Sequence, residues 1–462
     1  MRQKIMKTQQ NSLWRYGKIC IVNISILIVL CAILEIGAWF FLFAYQNMQT
    51  NTRDKDGVQH LSQSIKTSSA IDLTSTYSSE SVAEALSRHK NAPGSPYQYE
   101  SYVVYGNRPY TSELINITTD GMRLNGQTPL SQADFNVWMF GSSALFGVST
   151  ADNETIPARL ENILRQKFPS RKINVSNFGV VGYTSWQDLI NFHIRLMQKN
   201  KPDLVIFFNG INDHYLGWLN EDPMCEILLQ TGVRSSEVLS EAWDSRANKV
   251  LINWPEILQF LANLFSNTIK LSELILKYAE LKQANHNIYE WRTLYKKDRD
   301  NHLKIVEKCL PKAEDAYIRN MQLAIQLAKS NGINIIFAHQ PLLFLTKKPL
   351  VGSEISESEH PNYNFFALDD ASLDALTEVP SYRIHQPYFW SRQQFLATYI
   401  RQKNRLEKIA QDQSIPFMDF DYAINQIGPI AIFSSQVHFT FRGTTVISKE
   451  LAQKVESYLM QN

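Results

Sequence analysis

The sequence predicts an α/β fold, in which helices cover both faces of a five-stranded parallel sheet. Short apolar runs recur along the chain, each long enough for a buried strand and too short for a helix. Segments with apolar residues at helical spacing separate these runs, and strands that alternate with helices favour a parallel sheet. The predicted strands are residues 135–140, 173–178, 204–208, 333–338 and 415–420.

Length and composition indicate an ordinary globular protein. The 462 residues are enough for one large domain with insertions or for two domains. Hydrophobic residues make up 44% of the chain and charged residues 19%, which is typical of globular proteins. The net charge is only +2, and no long lysine or arginine cluster lies beyond the N-terminus, which argues against a nucleic-acid partner.

The N-terminus predicts a single-pass membrane anchor. Residues 1–18 carry five basic side chains and no acidic one, and residues 19–45 contain one charged residue, Glu35. An apolar stretch of more than about 20 residues can span a bilayer. The basic flank should stay in the cytoplasm, so the rest of the chain should face the periplasm or another extracytoplasmic space. A cleaved signal peptide is the alternative, but its apolar core would be shorter and end in small residues rather than in FFLFAY.

Glu35 inside this predicted span leaves two interpretations open. A carboxyl group in a bilayer is costly and often marks contact with a membrane-protein partner. Alternatively it is protonated there and has no role. After the span, residues 46–95 are polar and predict a stalk, although residues 82–86 favour a short helix. Residues 96–462 then form the main domain.

Two insertions interrupt the predicted sheet. Residues 218–312 are mostly helical in pattern, and residues 345–390 are rich in loop signals. Both leave the carboxyl edge of the sheet, so both could form walls of a cleft there. Cys225 and Cys309 both lie in the first insertion. The predicted extracytoplasmic compartment permits disulfides, and we predict that these two cysteines pair.

Ser143 is the candidate nucleophile. The first strand ends at Gly141, and Ser142 and Ser143 follow directly before a helical pattern. Ligands of open α/β sheets bind at the carboxyl ends of the strands, so a serine in this turn lies where chemistry is expected. The alternative is that both serines only cap a helix, as serines before helices commonly do.

Other strand ends bring residues that suit acyl transfer. Gly182 follows the second strand, Asn212 follows the third, and His438 follows the fifth. Each alone would be an ordinary turn or helix-start residue. Together they offer a base for the serine and donors for the oxyanion that forms on the carbonyl oxygen.

The strand ends contain four sequence blocks, which are in chain order GSSALFG, NFGVVGYTS, GIND and VHFT. These blocks resemble those of the SGNH hydrolases, or GDSL-type esterases. The resemblance implies a flavodoxin-like three-layer α/β/α sandwich, in which Ser143 is the nucleophile and His438 the base. It implies an oxyanion hole made of the Ser143 N–H, the Gly182 N–H and the Asn212 side chain. More weakly, INITTDGMRLNG before the first strand is similar to membrane-anchored bacterial members.

Two positions depart from the family pattern. Ser142 stands where the family usually has aspartate. Ser435 stands three residues before His438, where the family has the carboxylate that orients the histidine. A backbone carbonyl or Ser435 itself could orient the ring, Asp419 or Asp421 could supply the carboxylate, or catalysis could be weak or lost.

The sequence therefore predicts a membrane-anchored, outward-facing serine esterase that removes or transfers acetyl groups on cell-envelope or secreted polysaccharide. The alternative is a degenerate SGNH fold that binds glycan or a partner without turnover. No cofactor is expected, because the nine other histidines show no metal-ligand spacing. Of these, His214 and His339 follow strand ends, where they would form part of the cleft rim or of the structure.

Overall fold

The computed structural model describes residues 79–90, 96–126, 133–198, 201–219, 288–359, 370–375, 377 and 392–460. The chain divides into two compact units, Met1–Ala70 with Val250–Trp291 and Ile71–Lys249 with Arg292–Asn462. Of the first unit only residues 288–291 are described, so the fold below is that of the second unit.

The described elements alternate between strands and helices after residue 133. The strands are β1 (Tyr97–Glu100), β2 (Val104–Asn107), β3 (Tyr110–Thr111), β4 (Asn116–Ile117), β5 (Phe135–Gly141), β6 (Ile173–Asn177), β7 (Leu204–Asn209), β8 (Asn334–His339) and β9 (Phe417–Met418). The helices are α1 (Ser79–Lys90), α2 (Ser143–Phe146), α3 (Ile156–Lys167), α4 (Ser185–Gln198), α5 (Ile211–Leu219), α6 (Ile288–Ser330), α7 (Ser353–Glu359), α8 (Asp370–Asp374), α9 (Arg392–Asp412), α10 (Asp421–Asn425) and α11 (Phe441–Leu459).

Five parallel strands form the central sheet, in the spatial order β6-β5-β7-β8-β9. Numbered among themselves, these strands follow the order 2-1-3-4-5, which is that of flavodoxin-like sheets. The predicted five-stranded parallel sheet is confirmed. The fifth strand is much shorter than predicted: β9 keeps two residues of the predicted 415–420 and pairs with β8 alone, at one edge.

Helices cover both faces of the sheet. On one face α3 and α11 pack against alternate strand residues such as Val137 and Ile206. On the other face α4, α6 and α9 pack against Phe140, Phe207 and Phe337. The three central strands β5, β7 and β8 are buried on both sides, which explains why they appear in the sequence as nearly continuous apolar runs. The arrangement is the predicted three-layer sandwich.

The segment before the sheet is more ordered than the predicted stalk. Residues 79–90 form helix α1, whose Val82 and Ala85 are buried against Leu114 and Ile115. Apolar residues at positions 82, 85 and 86 lie on one helical face, which is why this part of the polar segment docks on the domain. After this helix come two antiparallel strand pairs, β1–β2 and β3–β4.

Several predictions fall wholly or partly outside the described residues. They include the span at 19–45, and among the helices of the described ranges none has both the length and the apolar composition that crossing a membrane requires. Most of the first insertion also lies outside, although its residues 288–312 form the first part of α6 (Ile288–Ser330). Cys309 in this helix is buried and disulfide-bonded, while its predicted partner Cys225 is outside the described residues.

Candidate active site

The turn after β5 places Ser143 at the carboxyl edge of the sheet. Ser142 is the N-cap of α2, but its side chain makes no capping hydrogen bond. The hydroxyl of Ser142 is buried, whereas Ser143 Oγ lies 2.8 Å from His438 Nε2. The interpretation that both serines only cap a helix therefore does not hold for Ser143, whose hydroxyl contacts a histidine 295 residues away.

Arg123 fixes the loop that follows the nucleophile helix. Its fully buried guanidinium donates to the carbonyl oxygens of Phe146 (2.6 Å), Gly147 (2.7 Å) and Thr150 (2.7 Å), and to Asp152 (2.9 Å). Burial lowers the pKa of Arg123, and the Asp152 carboxylate opposes that shift. In the sequence, the surrounding segment DGMRLNG shows only a family likeness, which does not indicate this role.

His438 lies between two serines. Its Nε2 is 2.8 Å from Ser143 Oγ, and its Nδ1 is 2.8 Å from Ser435 Oγ. Ser435 Oγ also accepts hydrogen bonds from the backbone N–H groups of His438 (3.2 Å) and Val437 (3.4 Å). In the tautomer that general-base catalysis needs, Nδ1–H donates to Ser435 Oγ, and Nε2 accepts the proton of Ser143.

Ser435, rather than either nearby aspartate, contacts the histidine ring at the position of the family's acid. Asp419 and Asp421 both accept hydrogen bonds from Lys403, at 2.7 Å and 3.0 Å. Of the alternatives open at the sequence level, the structure therefore favours orientation of His438 by Ser435. The two aspartates belong to a separate ion-pair group with Lys403.

A compact loop carries His438. We call residues 432–440 the histidine loop. Its arms pair through a bridge between Phe433 and Phe439 and through the Thr440 N–H, which donates to the Ile432 carbonyl (2.9 Å). At its tip, the Gln340 side chain donates to the Val437 carbonyl (2.7 Å). Gln340 directly follows β8, so the end of this strand holds the loop that brings the base to Ser143.

The predicted oxyanion donors come from neighbouring strand ends. The Val180 N–H donates to the Gly141 carbonyl (3.0 Å), which holds the loop after β6 beside the end of β5. Asn212 Nδ2 donates to the Tyr183 carbonyl (2.8 Å), which joins the loop after β7 to the same group. The structure thus connects the loops that carry Ser143, Gly182 and Asn212.

Gly182 needs to be glycine in this arrangement. Its φ is +84°, a conformation that other residues rarely adopt. A Cβ there would lie 2.8 Å from Tyr105 Oη, which itself donates to the Val181 carbonyl (3.0 Å). Within the described residues, the backbone N–H groups of Ser143 and Gly182 donate to no protein atom, as expected of donors that serve a substrate oxygen.

A buried polar network holds Asp213, the residue directly after Asn212. The Asp213 carboxylate accepts hydrogen bonds from the Ser185 backbone N–H (3.0 Å) and hydroxyl, and Ser185 Oγ accepts one from Asn320 (2.9 Å). Burial raises the pKa of Asp213 to about 6. Burial also raises the pKa of nearby Asp188 well above its usual value, although Asn209 donates to this carboxyl (3.0 Å) and opposes the shift.

His214 and His339 are core residues rather than rim residues. The ring of His214 is fully buried, with Nε2 at 3.1 Å from the Phe395 carbonyl. The ring of His339 packs 4.6 Å from that of Tyr399. Burial lowers the pKa of each histidine to about 3, so both are neutral.

Across the described parts of the chain, no group of three or more His, Cys, Asp or Glu residues could hold a metal ion.

Comparison with known proteins finds likeness only among solved structures. No family model and no curated protein matches the chain. The chain is similar to a catalytic mutant of an acetylxylan esterase from Geobacillus stearothermophilus, with 12% identity, a TM-score of 0.34 and coverage of 70% of this chain and 94% of that one. It is also similar to a member of the lipolytic protein G-D-S-L family from Veillonella parvula, with 11% identity, a TM-score of 0.33 and coverage of 69% and 97%. The neighbours thus include GDSL-type proteins, the family that the four sequence blocks resemble.

Proposed function

We propose that this chain is a serine esterase of the SGNH type that acts on acyl esters through Ser143 and His438. The observation that carries the proposal is the 2.8 Å contact between Ser143 Oγ and His438 Nε2. A serine hydroxyl becomes a good nucleophile only when a base within hydrogen-bond reach takes its proton, and His438 supplies that base.

The reaction proceeds in two halves. Ser143 Oγ attacks the ester carbonyl carbon while its proton moves to His438 Nε2, and the Ser143 and Gly182 N–H groups and the Asn212 amide stabilise the oxyanion. Collapse of this intermediate breaks the bond to the alcohol, which leaves with the proton from Nε2. Water, or the hydroxyl of an acceptor sugar, then attacks the acyl-serine with His438 again as base, and Ser143 is regenerated.

The natural substrate we propose is an acetylated polysaccharide of the cell envelope or a secreted one. The support is the resemblance to membrane-anchored family members, together with the basic tail and apolar stretch of residues 1–45. In this proposal the anchor holds residues 96–462 outside the cytoplasm. Protease added to intact spheroplasts should then digest this domain, whereas digestion only after lysis would refute the outward orientation.

Hydrolysis of p-nitrophenyl acetate by the full-length chain tests the catalytic proposal. Ser143→Ala and His438→Ala should each abolish the activity, and a phosphonate probe for active-site serines should label the unchanged chain at Ser143 only. Ser142→Ala is the matched control, because the neighbouring hydroxyl makes no capping bond and should be dispensable. Activity that survives Ser143→Ala would refute the proposal. Acetate release from an acetylated polysaccharide then tests the substrate class.

A binding protein without turnover is the second candidate, favoured by the neutral Ser435 at the acid position. A hydroxyl stabilises the imidazolium less than a carboxylate does, so catalysis should be slower than in a complete triad. If the chain neither hydrolyses activated esters nor reacts with the probe, while Ser143→Ala still binds glycan, the binding function is the correct one.

A further inference from the structure

A buried ion pair lies beside the histidine loop, in the second predicted insertion. Lys348 Nζ contacts Glu354 Oε2, and neither side chain is exposed to solvent. Glu354 lies in the first turn of α7. Removing two charges from water is costly, so a buried pair is not in itself a source of stability. Its place in the structure points to a more specific role.

The Glu354 carboxylate holds the start of the histidine loop. One oxygen, Oε1, accepts hydrogen bonds from the successive backbone N–H groups of Ile432 (2.8 Å) and Phe433 (3.0 Å). The other, Oε2, accepts from Lys348 and from the Val351 N–H (3.3 Å). Hydrogen bonds to a charged acceptor are roughly twice as strong as neutral ones, so this carboxylate restrains the loop backbone firmly.

The restraint reaches His438 through the pairing of the two arms. Phe433, held by Glu354, forms the bridge with Phe439, the residue directly after the histidine. The next residue of the first arm, Ser434, donates its N–H to the His438 carbonyl (3.0 Å). Since the arms are bonded to each other, a shift of the first arm would move the imidazole relative to Ser143.

We propose that Glu354, whose charge is balanced by the ion pair with Lys348, is a positioning residue for His438. It acts through the backbone of the histidine loop. The proposal rests on the esterase function proposed above, and it gives the second insertion the role of holding the base rather than contacting substrate. Positioning of this kind matters because a displacement of about 1 Å in a catalytic group can lower the rate about 10²-fold.

Two double variants separate positioning from stability. Lys348→Met/Glu354→Gln and Lys348→Met/Glu354→Leu both remove the buried charges, so neither leaves an unpaired ion. The glutamine retains a carbonyl oxygen that accepts from the N–H groups of Ile432 and Phe433, while leucine accepts nothing. We expect kcat within about threefold of wild type for the Gln variant and about 10²-fold lower for the Leu variant, with KM changed less than about twofold.

A merely structural role would shift the thermal midpoint without this difference in kcat per folded molecule. Equal kcat in the two folded variants would therefore overturn the proposal. The unchanged chain and the Ser143→Ala variant are measured beside them, so that loss of the whole esterase function is recognised separately.

A second readout does not depend on turnover. The ¹⁵N NMR signals of the His438 ring, assigned by their absence in His438→Ala, report its tautomer and its order. We expect one fixed tautomer in wild type and in the Gln variant, and an averaged signal in the Leu variant. If the wild-type chain hydrolyses no ester, the esterase proposal fails; identical ring signals in the two variants would overturn the positioning proposal in either case.

Discussion

Ser435→Asp places a carboxylate where the structure has a hydroxyl facing the base. Ser435 Oγ lies 2.8 Å from His438 Nδ1 and accepts from the N–H groups of His438 (3.2 Å) and Val437 (3.4 Å). In the catalytic tautomer three N–H groups therefore converge on this oxygen. Such an environment stabilises a carboxylate, so the aspartate should be ionised and should accept from the ring.

The expected gain comes from the imidazolium that forms when Ser143 gives up its proton. Two unit charges about 4 Å apart attract by about 1 kcal/mol in water and by about 4 kcal/mol at an effective dielectric constant of about 20. Ser435 and His438 are both half-buried, which favours an intermediate value of about 2 kcal/mol. This free energy corresponds to a roughly 30-fold increase in kcat.

The assay is p-nitrophenyl acetate hydrolysis by the full-length chain across the neutral pH range. Ser434→Asp is the matched control: it adds the same charge at the neighbouring serine, whose hydroxyl donates to Ser149 Oγ (2.8 Å). Only Ser435→Asp should raise kcat, and the acidic limb of its pH profile should move to higher pH, because a carboxylate favours the charged imidazole. A folded Ser435→Asp with kcat equal to or below wild type would refute the reasoning.

Three further predictions follow from the same structure. Gly182→Ala should lower kcat by about 10²–10³, the usual cost of one lost oxyanion donor, because the new Cβ would lie 2.8 Å from Tyr105 Oη and so displace the residue 182 N–H. Gly332→Ala, also at positive φ (+68°) but in open space, should leave kcat unchanged and so controls for backbone strain. Asp419→Asn should keep kcat within about twofold, because this carboxylate pairs with Lys403; a large loss would make it the missing acid. Because burial raises the pKa of Asp213 to about 6, the folded chain binds this proton more tightly than the unfolded chain, and stability falls as pH rises from about 4 to 6. Relative to Asp213→Asn, the wild-type free energy of unfolding should drop by roughly 2 kcal/mol across this range in urea titrations, and parallel curves for the two would contradict the assignment.

The order of strands and helices along the chain could be predicted from local pattern. The apolar run at 204–208 became β7 (Leu204–Asn209), and the run at 333–338 became β8 (Asn334–His339). A strand that is buried on both faces needs an unbroken apolar run, and such a run can be recognised in the sequence. The edge strand β9 was less predictable, because residues 415–420 have the same apolar pattern as the other runs, but only Phe417 and Met418 pair with β8.

Local pattern alone shows which strand ends carry polar side chains, and therefore predicts that Ser143, Gly182, Asn212 and His438 belong to one edge of the sheet. It left open which oxygen faces Nδ1 of His438, and the tertiary structure places Ser435 there.

Two supporting groups were visible only in the folded chain. Arg123 holds the loop after Ser143, and Glu354 holds the start of the histidine loop. The physical reason is that periodicity reports burial along one element, whereas each of these hydrogen bonds joins residues from segments far apart in the sequence. Such partners are chosen by the packing of the elements and not by any spacing within them.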